Sequence, residues 1–340
     1  MRILVTGGAG FIGSHFVRLL LGPDPGSRPT AVTVLDALTY AGDLTRLDAV
    51  AGDPRYDFVY GDVRDRPLVE ELVGGHDAVV HLAAETHVDR SIGGAGEFVS
   101  SNVLGTQVLL DAVLRHGRTL VHVSTDEVYG SIAEGSWTED CPPAPRSPYA
   151  AAKASSDLLA LAYHHTHGLD VRVTRCSNNY GPYQHPEKLI PRFSTLLLDG
   201  GRVPLYGDGR NVRDWLHVED HCRALLRVLL AGRAGRVYNI GGGTELTNLR
   251  LTRLLLDAFG AGPERIERVP DRKGHDLRYS VDSGRIRREL GWRPRHSFAE
   301  GLAATVDWYR DNRAWWERHL AERDPAAAPQ PSSRTGSPSR

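Results

Sequence analysis

Tyr149 and Lys153 stand as Y-x-x-x-K, and upstream of them the run Leu120-Val121-His122-Val123-Ser124 ends in Thr125-Asp126-Glu127. One helical turn separates Tyr149 from Lys153, so both lie on one face and the ammonium is expected to lower the phenol's pKa toward working pH. A tyrosinate can then take a hydroxyl proton. Two carboxylates beside it exceed the needs of a plain alcohol oxidation. After hydride removal they can serve as a carbon base and a leaving-group acid. The set points to redox chemistry coupled to elimination.

These side chains need a rigid frame. Apolar runs of strand length recur at Ile3–Val5, Ala31–Leu35, Phe58–Tyr60, Ala78–Leu82 and Leu120–Val123, with helix-length amphipathic stretches between most of them. Alternating β and α elements predict an α/β fold, a Rossmann-type doubly wound parallel sheet. A helix over Tyr149–His167, with Pro148 suited to its first turn, precedes a further strand at Val171–Thr174. After it the alternation weakens into Gly/Pro-rich segments. We therefore expect residues 1–176 to form mainly a cofactor-binding domain and residues 177–320 mainly a smaller substrate-binding lobe, with some segments returning to the first domain. Residues 321–340, rich in Pro, Ser and Ala, read as a disordered tail.

Gly7, Gly10 and Gly13 follow the first strand and, with Phe11 and Ile12, open a helix. Their backbone can approach a pyrophosphate at the helix N-terminus. Asp36, at the end of the second strand, suits both hydroxyls of a ribose and would repel a 2′-phosphate. No arginine follows directly to accept one, so NAD is favoured over NADP. In the G-D-V segment after the third strand, Asp62, with Val63 beside it, either meets the adenine amino group or caps a helix over Arg66–Val73. Leu82, Ala83 and Ala84 close the fourth strand with small residues where the nicotinamide ribose would pass; tight packing alone also explains them.

Composition narrows the function class. Apolar residues at 41% and charged at 24% are ordinary for a globular enzyme, and a net charge of −1 gives no electrostatic case for nucleic acid. Cys141, Cys176 and Cys222 are too widely spaced for a metal motif, and an odd count argues against a disulfide framework. His164, His165 and His167 read as helix surface, so no metal is expected. Trp308, Trp315 and Trp316 read as packing for a terminal helix. No apolar run reaches the length of a membrane span, and the first residues form a strand rather than a signal core, so we expect a cytoplasmic protein.

From Arg2 to about Trp316 the chain resembles the nucleotide-sugar 4,6-dehydratases of the extended short-chain dehydrogenase/reductase family, most closely those acting on dTDP-glucose. The resemblance rests on TGGAGFIGSH, LDALTYAG, HLAAETHVDRS, STDEVYG, SPYAAAKASSD, NNYGPYQHPEKLIP, LYGDGRNVRDWLHVEDH and DRKGHDLRYS. It implies Thr125, Asp126, Glu127, Tyr149 and Lys153 as catalytic residues, NAD as cofactor and a dTDP-sugar as substrate. By the same resemblance Asn178, Lys188, Leu189, Arg213, Asn248, Arg272 and His275 fall in segments that clasp sugar, diphosphate or nucleotide. Tyr206, after Pro204, can stack on the base or simply close a strand end. His87, with Asp89 and Arg90, can line the sugar pocket or form a local pairing network.

The resemblance also implies a homodimer, paired through helices over Val99–Leu114 and Ala150–Tyr163 as a four-helix bundle. Two competing catalytic readings are an epimerase, which has no need of Asp126 and Glu127, and a decarboxylase, which needs a positive clamp not found here. An inactive NAD-sensing protein is the alternative outside catalysis.

Overall fold

The run Ile3-Leu4-Val5 is apolar without alternation, so a strand built on it needs cover on both faces. In the computed structural model, which describes residues 1–23 and 29–321, it forms β1 (Arg2–Thr6). There follow β2 (Ala31–Asp36), β3 (Tyr56–Tyr60), β4 (Ala78–His81), β5 (Thr119–Thr125) and β6 (Val171–Cys176). Each falls on a run expected to be a strand. They pair in parallel in the order β3-β2-β1-β4-β5-β6. The order reverses between β1 and β4, where an open parallel sheet leaves a crevice beyond its carboxyl edge.

Beyond Cys176 come β7 (Asn178–Tyr180), β8 (Val203–Tyr206), β9 (Val212–His217), β10 (Val237–Ile240), β11 (Glu245–Thr247) and β12 (Ile266–Val269). Strand β10 returns to the main sheet as its seventh member, parallel to β6 from Val237↔Val173 to Ile240↔Cys176. The sequence pattern does not announce it, because β7, β8 and β9 intervene before helix Val218–Ala231 delivers the chain to the sheet edge. The remaining strands make a three-stranded sheet, β11-β9-β7, and a pair, β12-β8. Phe193, Trp215, Leu251 and Leu302 are buried together in a separate apolar cluster beside them.

Helices Phe11–Leu21 and Val218–Ala231 cover one face of the main sheet through Phe16, Val17, Leu20, Leu225 and Val228. Arg66–Gly74 and Gly105–His116 cover the other through Val69, Val73, Leu109 and Val113. Each such side chain, fully buried, contributes about 1.5–3 kcal/mol. Helix Pro148–His167 starts with proline in its first turn, as expected, and Ser147 caps it by accepting from the Ala150 amide at 3.1 Å. Asp157, two turns below Tyr149, is buried with Oδ2 accepting from Arg175 Nε at 2.8 Å and Oδ1 3.2 Å from His122 Nε2. That pairing moors the helix to β5 and β6.

The stretch before helix Gly105–His116 is a π-turn, Val99–Leu104. It frees the Asn102 carbonyl to accept from Ser156 Oγ at 2.7 Å, while the Asn102 amide bonds both backbone groups of Glu85. Val99, Leu104 and Leu158 remain exposed on these two helices. At the other end Trp316 is fully buried, and Trp315 Nε1 donates to Asp43 at 3.0 Å, tying helix Arg313–Ala321 to the loop after β2. The tail expected to be disordered lies outside the described residues, except Ala321, which closes that helix. Among the described residues no helix is long and apolar enough to cross a membrane.

Candidate active site

The glycines after β1 are there for space. Gly7 has φ +70°, and a Cβ on it would meet the Ala83 amide nitrogen at 2.5 Å; one on Gly13 would lie 2.1 Å from the Gly7 carbonyl oxygen. Helix Phe11–Leu21 begins at Gly10 with no side-chain cap, so its terminus is suited to bind an anion. Asp36 accepts from the Ala9 and Leu38 amides at 2.9 and 2.8 Å, clamping the glycine turn to the next loop. Burial raises its pKa, and those two amides counter the rise. Gly7, Gly10, Phe11, Ile12, Gly13, Asp36, Asp62, Val63, Leu82, Ala83, Ala84, Tyr149 and Lys153 all line this one cleft. A bare helix terminus, a bed that a Cβ would fill and a carboxylate at the strand end together fit a dinucleotide.

Two details correct the sequence reading. Asp62 is not the cap of the following helix: Asp65 is, accepting from the Leu68 amide at 3.2 Å. Asp62 faces the cleft while holding Arg64 through both oxygens, at 2.9 and 2.7 Å. Arg46 also lines the cleft and was not foreseen; its guanidinium is held by the carbonyls of Ala9, Ala41 and Tyr183.

The reacting groups meet at the end of β5. Thr125 ends the strand, and its hydroxyl accepts from the Glu127 amide at 3.3 Å and donates to Asp126 Oδ1 at 3.4 Å. Burial holds the Asp126 carboxyl well above the usual range, with Glu127 and then Asp214 adding to the effect. Its Oδ2 is buried without a partner. Glu127 is raised by burial too, but Arg213, Arg272 and Lys188 pull it back. Environment thus separates two adjacent carboxyls, one toward a proton donor and one toward a base.

Lys153 does not act on Tyr149 as expected. Its Nζ donates to the Val123 carbonyl at 2.8 Å, and burial lowers its pKa to about 8. Burial, followed by the charge of Glu127, raises the Tyr149 phenol well above its ordinary value. Carboxylates and desolvation outweigh the ammonium, so the protein's own groups leave this phenol neutral.

A second cleft adjoins the first, sharing Glu127, Asn178 and Lys188 with it. His87, Asn178, Lys188, Leu189, Pro204, Tyr206, Arg213, Asn248, Arg272 and His275 all line it. Arg213 is buried, its guanidinium 4.2 Å from the Tyr279 ring centre and bonded to the Val212 and Asp276 carbonyls. Lys188 Nζ reaches the Thr86 carbonyl at 3.2 Å, Arg272 stands 3.7 Å from Asp89, and His275 bonds Asp271 at 2.6 Å. Asn178 Oδ1, Asn248 Oδ1 and Arg272 Nε are buried without partners. Orphaned polar atoms beside three cations are the chemistry a sugar diphosphate would satisfy.

A family model described as GDP-mannose 4,6 dehydratase matches residues 4–305. A dTDP-glucose 4,6-dehydratase of Streptomyces niveus is 65% identical over 320 residues, covering 93% of this chain and 95% of that protein. The chain belongs to the dTDP-glucose 4,6-dehydratase family. A crystal structure of the Streptomyces venezuelae dTDP-glucose 4,6-dehydratase DesIV, with NAD and TYD bound, is 63% identical with TM-score 0.92, over 94% of this chain and all of that one. The UDP-glucose 4-epimerase of Thermotoga maritima, with UDP-glucose, superposes at TM-score 0.84 and 33% identity, over 92% and 100% of the two chains. Epimerases and 4,6-dehydratases thus share the frame.

Within this dehydratase site the sequence reading missed Glu187. It lines both clefts with a side chain 1% exposed, accepts from Tyr40 at 3.1 Å and has His87 3.5 Å and Lys188 3.6 Å away. Its only signal was adjacency to Lys188. His87 lines the cleft, and its Nδ1 accepts from the Arg90 amide at 3.3 Å, capping helix Val88–Gly93. In place of a local His/Asp/Arg network, His87 and Arg90 face Glu187 and Asp89 faces Arg272. Tyr279, beneath Arg213, was missed as well.

Proposed function

We propose that this chain is an NAD-dependent dTDP-glucose 4,6-dehydratase that forms dTDP-4-keto-6-deoxyglucose and water. The observation that carries the reading is Glu127, shared by a dinucleotide cleft and a cation-lined cleft, with Asp126 buried behind it and split from it in proton affinity, and with Tyr149 lining the dinucleotide cleft. An epimerase would have no use for that pair.

When bound, NAD supplies the acceptor and then the donor of the hydride that moves from C4 to C6, together with the positive charge of its oxidised ring. Tyr149, as phenolate, takes the proton of the 4-hydroxyl, and Thr125 bonds the same oxygen. Lys153, held to the Val123 carbonyl, adds positive charge on the same helix face. The ketone at C4 acidifies the C5 proton, which Glu127 removes as carboxylate. Asp126, neutral, protonates the departing 6-hydroxyl, so water leaves without carrying charge into a buried site. Glu127 then returns a proton to C5. Arg213, Arg272 and Lys188 hold the diphosphate, Tyr206 and Pro204 the base, and His87 and Asn178 the sugar; Leu189, Asn248 and His275 complete the wall. In this reading residues 1–176 mainly bind NAD and residues 177–320 mainly the nucleotide sugar.

A homodimer joined through the two helices that expose Val99, Leu104 and Leu158, and a place in the cytoplasm, complete the proposal. The test is to incubate the purified protein with dTDP-glucose and, separately, UDP-glucose in deuterated water without added NAD, and to follow products by mass spectrometry and NMR. Loss of water with deuterium at C5 from the thymidine sugar is expected. Failure of both sugars to lose water, even with NAD supplied, would overturn the reading.

A further inference from the structure

The proposed dehydration, on which this inference rests, leaves the site one proton transfer away from its starting state. Glu127 returns the proton it takes. Tyr149 ends each turnover holding the proton of the 4-hydroxyl, and Asp126 ends it without the proton it gave to water. One proton has therefore been displaced from Asp126 to Tyr149, and the next turnover needs it back. Both groups are buried, Tyr149 at 8% exposure and Asp126 at 2%, so exchange with bulk water is hindered on each side.

Thr125 stands between them. A hydroxyl offers one donor and two acceptor positions. The Thr125 proton is directed at Asp126 Oδ1, 3.4 Å away, and one lone pair takes the Glu127 amide at 3.3 Å. The second lone pair is left for the Tyr149 phenol, whose proton affinity this hydroxyl acts to lower. Asp126 Oδ2 is buried without a partner, so one oxygen of the carboxyl is engaged with Thr125 and the other is not.

We propose that Thr125 is the proton bridge that resets the site after each turnover. The Tyr149 O–H bond breaks as its proton moves to Thr125 Oγ1, and the proton already on Thr125 moves to Asp126 Oδ1. Two O–H bonds break and two form; phenolate and neutral carboxyl are regenerated, no electron changes hands and no solvent proton is consumed. A half-turn of the carboxyl about its Cβ–Cγ bond then presents the recovered proton to the next leaving hydroxyl. Burial and the neighbouring carboxylates raise the proton affinity of Asp126, which favours its taking the proton back. Oxidised NAD, when bound, would supply a positive charge that favours the phenolate.

The experiment compares the NAD-loaded wild type with Thr125→Val and Thr125→Ser by rapid quench. In Thr125→Val the first equivalent of product should form within about tenfold of the wild-type rate, the cost of one lost hydrogen bond. Later turnovers should slow by on the order of 100-fold and recover as a small buffer acid such as imidazolium is raised. Thr125→Ser, which keeps the hydroxyl, should show no slowing of later turnovers relative to its own first turnover, whatever its overall rate. Equal slowing of first and later turnovers in Thr125→Val, indifferent to buffer acid, would reduce Thr125 to an orienting hydroxyl and overturn the bridge. The wild type gives an independent reading by infrared difference spectroscopy. The band of the protonated Asp126 carboxyl, assigned with Asp126→Asn, should recover while product is still bound; recovery only after product release overturns the proposal. A wild type that forms no product in its first turnover overturns the dehydratase reading, and the bridge with it.

Discussion

The two clefts meet at Glu127 but are built differently. The cofactor cleft is shaped by backbone: Gly7 and Gly13 are there because a Cβ would strike another residue's main chain, and Asp36 is fixed by two amides. The nucleotide cleft is shaped by side chains from separate segments, Lys188, Arg213, Asn248 and Arg272 among them. The first has little room to adjust, since backbone contacts cannot relax by a change of rotamer. The second distributes its attraction over several charges, so the loss of any one is partial. Substitutions should therefore fail sharply in the first and by degrees in the second.

Tyr149 tests where the boundary between the two lies. It lines the cofactor cleft but, in the proposed mechanism, works on the sugar. Tyr149→Phe should lower kcat by on the order of 1,000-fold or more while the purified protein keeps its NAD, measured by turnover and by extraction of bound nucleotide. A variant that loses NAD would place the phenol in the cofactor framework and move the boundary. An unchanged kcat would remove it from the chemistry. Next in size, Gly13→Ala should lose bound NAD and about 1–3 kcal/mol of stability, read by nucleotide content and denaturant unfolding. The new methyl would lie 2.1 Å from the Gly7 carbonyl oxygen, a clash no side-chain motion relieves. An Ala variant that folds and binds NAD normally would break the contrast between the clefts at its strongest point.

The same contrast decides what could be read before the structure. Backbone-built features are local: strand runs, glycine spacing and an acid at the end of β2 follow one another within short stretches, and all thirteen expected cofactor residues line one cleft. The features that escaped depend on distant segments. Strand β10 is four residues long and joins the sheet only after a crossover from β9. Glu187 gains its place from Tyr40 and His87, far away in the chain. Charge balance escaped for the same reason. Tyr149 and Lys153 are legible as a pair, but the carboxylate of Glu127 and the burial of the phenol, which overrule the lysine, are properties of the assembled site. Seven of the ten residues expected in the nucleotide cleft were named through family segments, because nothing in their spacing brings Arg213 and Arg272 together.

Graded failure in the nucleotide cleft is open to two finer tests. Arg213 is the first of the cations that hold the Glu127 pKa down against burial. In the proposed mechanism Glu127 removes the C5 proton as a carboxylate, so activity should fall as pH drops through its pKa. Arg213→Met should let that pKa rise and carry the acid limb of the rate profile to higher pH by up to about one unit, equivalent to about 1.4 kcal/mol. A limb that stays put or moves to lower pH would mean that a group other than Glu127 sets it.

Arg272 should give the smallest effect. Its side chain is 21% exposed and 3.7 Å from Asp89, so water and a neighbouring acid already share its charge. Loss of such a half-screened contact costs about 1 kcal/mol. Arg272→Ala should raise KM for the nucleotide sugar about three- to tenfold with kcat nearly unchanged, because the diphosphate is held alike in ground and transition states. The variant should also leave the NAD content untouched. A fall in kcat comparable to the rise in KM would mean that Arg272 also governs Glu127, whose pKa it helps to hold down after Arg213; the nucleotide cleft would then be coupled to the chemistry as tightly as the cofactor cleft is.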